Sequence, residues 1–173
     1  HPTMVPISSV IAQIESVTNA VAVEADVIGS LLMSGPGAGG NATASAVMGD
    51  LADIAKARPG HQQAPVFGRA VADLAPYQRA EIEAHAGGYF VRMVVHDEPG
   101  VFADIATHMA ENGISLESIV QRDPLNNKNP GAKTVILITH ETSESAIRKA
   151  IKLISDAGHV VPKPQVIRIE KAE

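Results

Sequence analysis

The chain has 173 residues, no Cys, no Trp and a formal charge of −5. That length suits one domain or two small ones, and an acidic chain poor in aromatics gives nucleic acid neither an electrostatic footprint nor a stacking platform. No apolar run approaches the ~20 residues of a membrane span, and the absence of cysteine excludes disulfide and thiolate chemistry and fits a reducing, cytoplasmic setting.

The chain opens on His1-Pro2 without a Met, as expected of a fragment or processed product. Met4 to Val10, interrupted by Pro6, reads as a strand or loop. Val17 to Val23 and Val27 to Met33 are apolar runs around Glu24-Ala25-Asp26, the pattern of a β-hairpin. So few short strands cannot bury a core alone, so they are expected to complete a sheet supplied from elsewhere.

Gly35-Pro36-Gly37-Ala38-Gly39-Gly40 then matches GxGxxG at Gly35, Gly37 and Gly40 and opens a helix, predicted from Asn41 to Ala57 with Asn41 or Thr43 as N-cap. Val47, Leu51, Ile54 and Ala55 share one face of that helix. Asp50 and Asp53 lie beside the stripe and read as solvated acids. The dinucleotide fingerprint is incomplete, because no second strand ending in an acid follows and the helix instead runs into Ala57-Arg58-Pro59-Gly60. The glycine turn therefore permits close backbone approach either of another segment or of a ligand. Residues 59–88, dense in Pro, Gly and Gln, lack periodicity and read as a linker pinned by Val66-Phe67 and Val71 to Leu74.

Tyr89 to Arg122 carries the clearest pattern. Tyr89 to His96 has strand composition, Asp97-Glu98-Pro99-Gly100 is turn chemistry, and Val101, Phe102, Ile105, Ala106, Met109 and Ala110 form a helical stripe. Asn112-Gly113 ends the helix, and Ile114 to Gln121 is a second strand. A helix start directly after a strand presents unpaired N–H groups to an anion, and Asp97 adds a fixed negative charge suited to an ammonium. The turn is thus either a site for an amino acid or a plain connector.

Asp123 to Ala132 is a polar loop, and Thr134 to Thr139 a buried strand. Thr142 or Ser143 caps a helix burying Ala146, Ile147, Ala150, Ile151, Ile154 and Ala157, with Arg148, Lys149 and Lys152 outward and Gly158 as its stop. Val160 to Ile169, entered through Pro162 and Pro164, suits an edge strand. The order from Tyr89 is β-α-β-β-α-β, a ferredoxin-like sandwich of four antiparallel strands under two helices, which makes the fold class α+β. The seven His residues form no i,i+4 pair and no HExxH, so no metal site is expected. His96 and His140 end neighbouring strands. No nucleophile triad or paired-carboxylate arrangement is legible either.

Asn19-Ala20-Val21 together with Gly35 to Asp50, GPGAGGNATASAVMGD, resembles the signature closing the catalytic region of homoserine dehydrogenases, and His1-Pro2-Thr3-Met4-Val5 resembles the run just upstream. Tyr89 to Arg122 and Gln165 to Glu170 resemble the ACT domain of the threonine-regulated members. The resemblance implies an organisation of 1–58 as the tail of the catalytic region, 59–87 as linker and 88–173 as ACT regulatory domain. It implies a parent enzyme interconverting aspartate semialdehyde and homoserine with NAD(P), on the way to threonine and methionine. The Rossmann domain and catalytic lysine are absent from this chain, which alone is expected to be inactive and to need neither cofactor nor metal. Carried over by motif, Gly35, Gly37, Gly39, Gly40 and Thr43 fall near the family's cofactor. Asp97, Glu98, Gly100, Val101, Ile114 and Ser115 fall on the ACT effector positions, with threonine as the implied effector and a homodimer or higher assembly through the ACT sheet as the implied state; many ACT domains carry Asn where this chain has Asp97 and Ser115. The missing catalytic portion is a further implied partner; nucleic acid and membrane are not. The competing reading is a non-catalytic ACT module that binds an amino acid or only assembles.

Overall fold

The computed structural model describes residues 2–57, 63–64, 69–79, 86–123, 131–161 and 163–170. Within these, the chain forms two units, one of His1–Pro6 with Ala80–Glu173 and one of Ile7–Arg79.

In the first unit the hydrophobic periods seen in the sequence become elements. Strand β6 (Ala86–His96) alternates strictly, with Tyr89, Val91, Met93 and Val95 buried. A pleated strand sends successive side chains to opposite faces, so these four share one face. Helix α2 (Val101–Glu111) adds Val101, Ile105 and Met109 to the same core at i, i+4, i+8 spacing, and α3 (Glu144–Asp156) adds Ile147, Ala150 and Ile154. The buried stripes are narrower than the sequence pattern suggests: Phe102, Ala110 and Ala157 are exposed. The core is completed by Ile114 and by Val135 and Leu137 of β8 (Ala132–Thr139), while β7 (Leu116–Arg122) leaves Leu116 and Val120 half-buried and Ile119 exposed.

The sheet runs β1-β10-β6-β8-β7, where β1 is Thr3–Met4 and β10 is Gln165–Ile169. From β10 to β7 this is the expected antiparallel ferredoxin-like order. Strand β1 was not part of that expectation; it lies parallel to β10, with Thr3 opposite Arg168 and Met4 opposite Ile169. The final strand also starts later than the sequence suggests. Val160 makes a separate bridge to Val95, with Val161 donating to Val94 O and His96 to His159 O, and the ladder resumes only at Gln165. The break falls at the prolines, which have no N–H to give; Pro162 itself lies outside the described residues. A two-residue strand β9 (Thr142–Ser143) pairs the start of β6.

The second unit holds β2 (Thr18–Ala25) and β3 (Gly29–Pro36), paired antiparallel, followed by α1 (Gly40–Lys56). The hairpin turn sits at Asp26–Ile28 rather than at Glu24–Asp26, with Gly29 at φ 69° closing it. Glu24 is instead a strand residue, its carboxylate accepting from Ser30 Oγ. The helix is capped by Gly39, not by Asn41 or Thr43, because the chain turns in at φ 117° there, which only glycine adopts without strain. Among the described residues this unit buries none: Val21, Met33, Val47, Leu51 and Ile54 all stand exposed. Val71–Asp73 forms one 3-10 turn, and short strands β4 (Gln63–Ala64) and β5 (Arg69–Ala70) pair with each other. Residues 66–67, expected to pin the linker, lie outside the described residues, as does most of the loop after Asp123.

Candidate functional site

The turn after β6 and the start of α2 present the expected features. Asp97 follows the strand and is tied by its N–H to Gly131 O at 2.9 Å. Gly100 caps α2 in the left-handed region, φ 97°, and its carbonyl accepts from Asp104 N at 2.9 Å. Helix geometry leaves the first N–H groups aimed out of this end. Asp97, Glu98 and Gly100 are exposed there, while Val101 is buried as the first core residue of the helix.

Lys133 was not singled out from the sequence. It sits opposite Val95 on β8, and its Nζ lies 3.7 Å from Asp97 Oδ2 and 2.6 Å from Asp123 Oδ1. The hydrogen bond and charge of Asp123 hold the Lys133 ammonium above its ordinary pKa, and those of Lys133 hold the Asp123 carboxyl below its own. The turn thus carries a cation beside its acid, one charge for each end of a zwitterion. Nothing in the local pattern marks Lys133, because it comes from a strand more than thirty residues downstream.

Ile114 and Ser115 stand elsewhere. β7 pairs antiparallel to β8, as β6 does, so β6 and β7 run parallel and the start of β7 lies at the opposite end of the sheet from Asp97. Ser115 O accepts from His140 N at 2.9 Å at that far end, and Ile114 is buried in the core. A seven-residue strand spans about 20 Å, so one chain does not bring the six residues together. The same register separates His96, opposite Ala132, from His140, which follows Thr139 at the other end.

The glycine turn resolves into different roles. A Cβ on Gly37 would run into the side-chain amide of Asn19, and Gly37 N donates to Val17 O at 2.7 Å, so Gly37 serves close packing of the turn on the hairpin. Gly39 serves the backbone conformation. Gly35 and Gly40 face open space. Thr43 turns its hydroxyl onto Gly39 O at 3.0 Å. A shallow depression of about 790 Å³ lies over Pro36, Gly39, Gly40, Asn41 and Ser45. The strand entering the turn is antiparallel in a two-stranded hairpin, not part of a βαβ unit, so these residues do not by themselves fit a dinucleotide.

A second polar cluster also escaped the sequence. Glu144, in the first turn of α3 and 7% exposed, accepts from Arg168 Nε at 2.7 Å, Arg148 Nε at 2.8 Å and Tyr89 Oη at 3.3 Å. Burial pushes the Glu144 carboxyl up, but the two guanidinium groups outweigh it and hold the group below the ordinary range. Burial and the Glu144 charge raise the Tyr89 phenol. The Glu144/Arg148 spacing of four was the only local signal; Arg168 arrives from the last strand. The cluster edges a groove of about 1020 Å³ between α3 and β10. Among the described residues no group of His, Asp and Glu is arranged to hold a metal ion, and no helix is long and apolar enough to cross a membrane.

Residues 1–52 match the family model for homoserine dehydrogenase, and residues 89–158 the model for the ACT domain. Over 99% of its length the chain is 37% identical to a homoserine dehydrogenase of Pseudomonas aeruginosa, and over 98% it is 33% identical to that of Helicobacter pylori. It covers 39% and 38% of those proteins, so it spans about two fifths of the relatives it matches. The crystal structure of a homoserine dehydrogenase from Thiobacillus denitrificans superposes with a TM-score of 0.75 at 34% identity, over 99% of this chain and 38% of that one.

Proposed function

From this end-to-end likeness to homoserine dehydrogenases, and from the ACT domain after it, we propose that the chain is the C-terminal portion of such an enzyme and carries its amino-acid sensor. The longer protein interconverts aspartate semialdehyde and homoserine with NAD(P); residues 1–58 close its catalytic region, 59–87 link, and 88–173 form the ACT domain. This chain alone contributes no catalytic step. Gly35, Gly39 and Gly40, the signature glycines with open space around them, are the ones free to admit a cofactor in the longer protein, with Gly37 and Thr43 shaping the turn beneath it.

The effector is an α-amino acid, threonine by the family resemblance. Its ammonium meets Asp97 and Glu98, and its carboxylate meets Lys133 and the N–H groups after Gly100. The observation that carries this reading is the sheet order. β7 is an edge strand, and antiparallel pairing of two copies through that edge brings the partner's Ile114 and the partner's Ser115 to the end where Asp97 stands. The site is therefore completed only in a homodimer, and a ligand bound there biases the arrangement of the two copies, which is the basis for allosteric control.

The test is calorimetric titration of the 173-residue chain with threonine, with isoleucine, methionine, serine and lysine as controls, beside sedimentation equilibrium. Saturable threonine binding to a dimer, lost in Asp97→Ala and in Gly100→Trp, and lost together with the dimer in Ile119→Asp, supports the reading. The engagement of Lys133 by both Asp123 and Asp97 favours one alternative, in which its charge is already taken up and the ACT sheet is only an assembly scaffold. A folded dimer that binds none of the five amino acids selects that alternative.

A further inference from the structure

The charged side chains at the turn after β6 differ in how firmly the backbone holds them. Lys133 lies within the β6–β8 ladder, opposite Val95, and Asp97 is tied by its own N–H to Gly131 O at 2.9 Å. Asp123 has no such anchor in the sheet. It follows Arg122, whose pairing with Thr134 is the last of the β7–β8 ladder. The three side chains form one network, in which Lys133 Nζ stands 2.6 Å from Asp123 Oδ1 and 3.7 Å from Asp97 Oδ2. The cation is thus engaged most closely by the acid that the sheet holds least. That acid is also the wettest member, its side chain 85% exposed against 30% for Lys133.

We propose that Asp123 is a built-in competitor for the carboxylate of an α-amino acid at this turn, occupying Lys133 in the unliganded chain and yielding it when the ligand arrives. This rests on the reading of the turn as an amino-acid site and adds how that site selects what it binds. A carboxylate hydrogen-bonded to the ammonium at 2.6 Å marks a position where this cation accepts one. With two acids already around a single ammonium, a third carboxylate is repelled unless one of them withdraws. Asp97 is held in place by its turn, so Asp123 is the one to leave. The exchange conserves charge: the ligand's carboxylate takes the place of Asp123 on Lys133, its ammonium meets Asp97, and Asp123 returns ionised to water. Little opposes that release, because an ion pair at so exposed an acid is screened by solvent and no ladder bond of β7 has to break. The ligand must therefore carry a free carboxylate, since a neutral amide cannot replace Asp123 on the ammonium.

Calorimetric titration of the 173-residue chain and of its Asp123→Asn variant, with threonine and with threoninamide, tests this. The substitution keeps the side chain's size and removes its charge at an exposed position, so the fold is retained. It should tighten threonine binding about fivefold, the scale of an exposed ion pair, and leave threoninamide unaffected. In a Lys133→Met chain the same substitution should bring no gain. A second readout is the carboxyl 13C titration of Asp123 in the unsubstituted chain. Lys133 holds that carboxyl below its ordinary range, so saturating threonine should move its midpoint upward. Threonine binding that Asp123→Asn leaves equal or weakens, a gain as large for threoninamide, or a gain that survives Lys133→Met overturns the competitor role while the amino-acid site stands. Binding seen only in Asp123→Asn supports the competitor role in its strongest form. No binding of threonine by either chain overturns the amino-acid site itself, and the competitor role with it.

Discussion

Glu144→Gln removes one charge from the best-buried ion cluster among the described residues and leaves the shape nearly unchanged. Glu144 and Arg168 expose only 10% and 11% of their side chains, so the substitution strands a guanidinium that has given up most of its water. Breaking such a pair costs about 3–5 kcal/mol in a sealed interior, and the groove alongside, which admits water, brings the expectation to about 2–3 kcal/mol. Arg148, 71% exposed, adds little because solvent screens it. The chain has two tyrosines and no tryptophan; Tyr77 is 88% exposed and Tyr89 1%. In a Tyr77→Phe background, tyrosine fluorescence therefore reports the ACT unit alone. With a urea slope of about 1 kcal/mol/M for a unit of this size, the midpoint should fall by roughly 2 M at pH 7. The pH dependence has a definite sign. The folded-state pKa of Glu144 lies below its unfolded value, so its contribution is fully present above the unfolded pKa and disappears as pH falls through the folded one. The gap between parent and Glu144→Gln must therefore close on acidification. A midpoint change under 0.5 M at pH 7, or a gap that widens in acid, refutes the reasoning.

Other substitutions test separate parts of the molecule. Leu137→Ala opens a cavity at a fully buried position of a central strand and should cost about 2–5 kcal/mol in the same urea titration. Ser143→Ala removes the Oγ that accepts from Ala146 N at 3.2 Å, worth about 1 kcal/mol, whereas Thr142→Ala should leave the midpoint almost unmoved. Gly39→Ala forces a side chain into φ 117° and should destabilise the hairpin unit by about 1–3 kcal/mol, measured as faster amide exchange in α1. Gly35→Ala meets open space and should be silent in that measurement.

Much of the ACT fold was legible in the order of its residues. The β-branched and aromatic composition of Tyr89 to His96 and the spacing of Val101, Ile105 and Met109 mark a strand and a helix with almost no outside information, and turn chemistry at Asp97–Gly100 and Gly113 marks their ends; the strict alternation of burial along the strand came only with the structure. Two such units close into the observed sheet order because right-handed crossovers leave few alternatives. The glycine-rich turn was legible as a motif, but its division of labour was not: that Gly37 yields to Asn19 and Gly39 bends the chain depends on how the hairpin returns against the turn.

Hydrophobic period and turn chemistry are local, so the sequence by itself determined the elements of the ACT unit, their order and the location of the exposed acidic turn. What only the tertiary structure decided are pairings between residues far apart in the chain. Lys133 beside Asp97, Arg168 on Glu144, and Thr3–Met4 against Arg168–Ile169 join partners that no local period relates to one another. A two-residue strand has no alternation to detect, and a charged side chain on a strand reads as solvated until a neighbour arrives. The separation of Asp97 from Ser115 is of the same kind. It follows from β6 and β7 running parallel on either side of β8, a fact of register that belongs to the assembled sheet and not to any stretch of the chain.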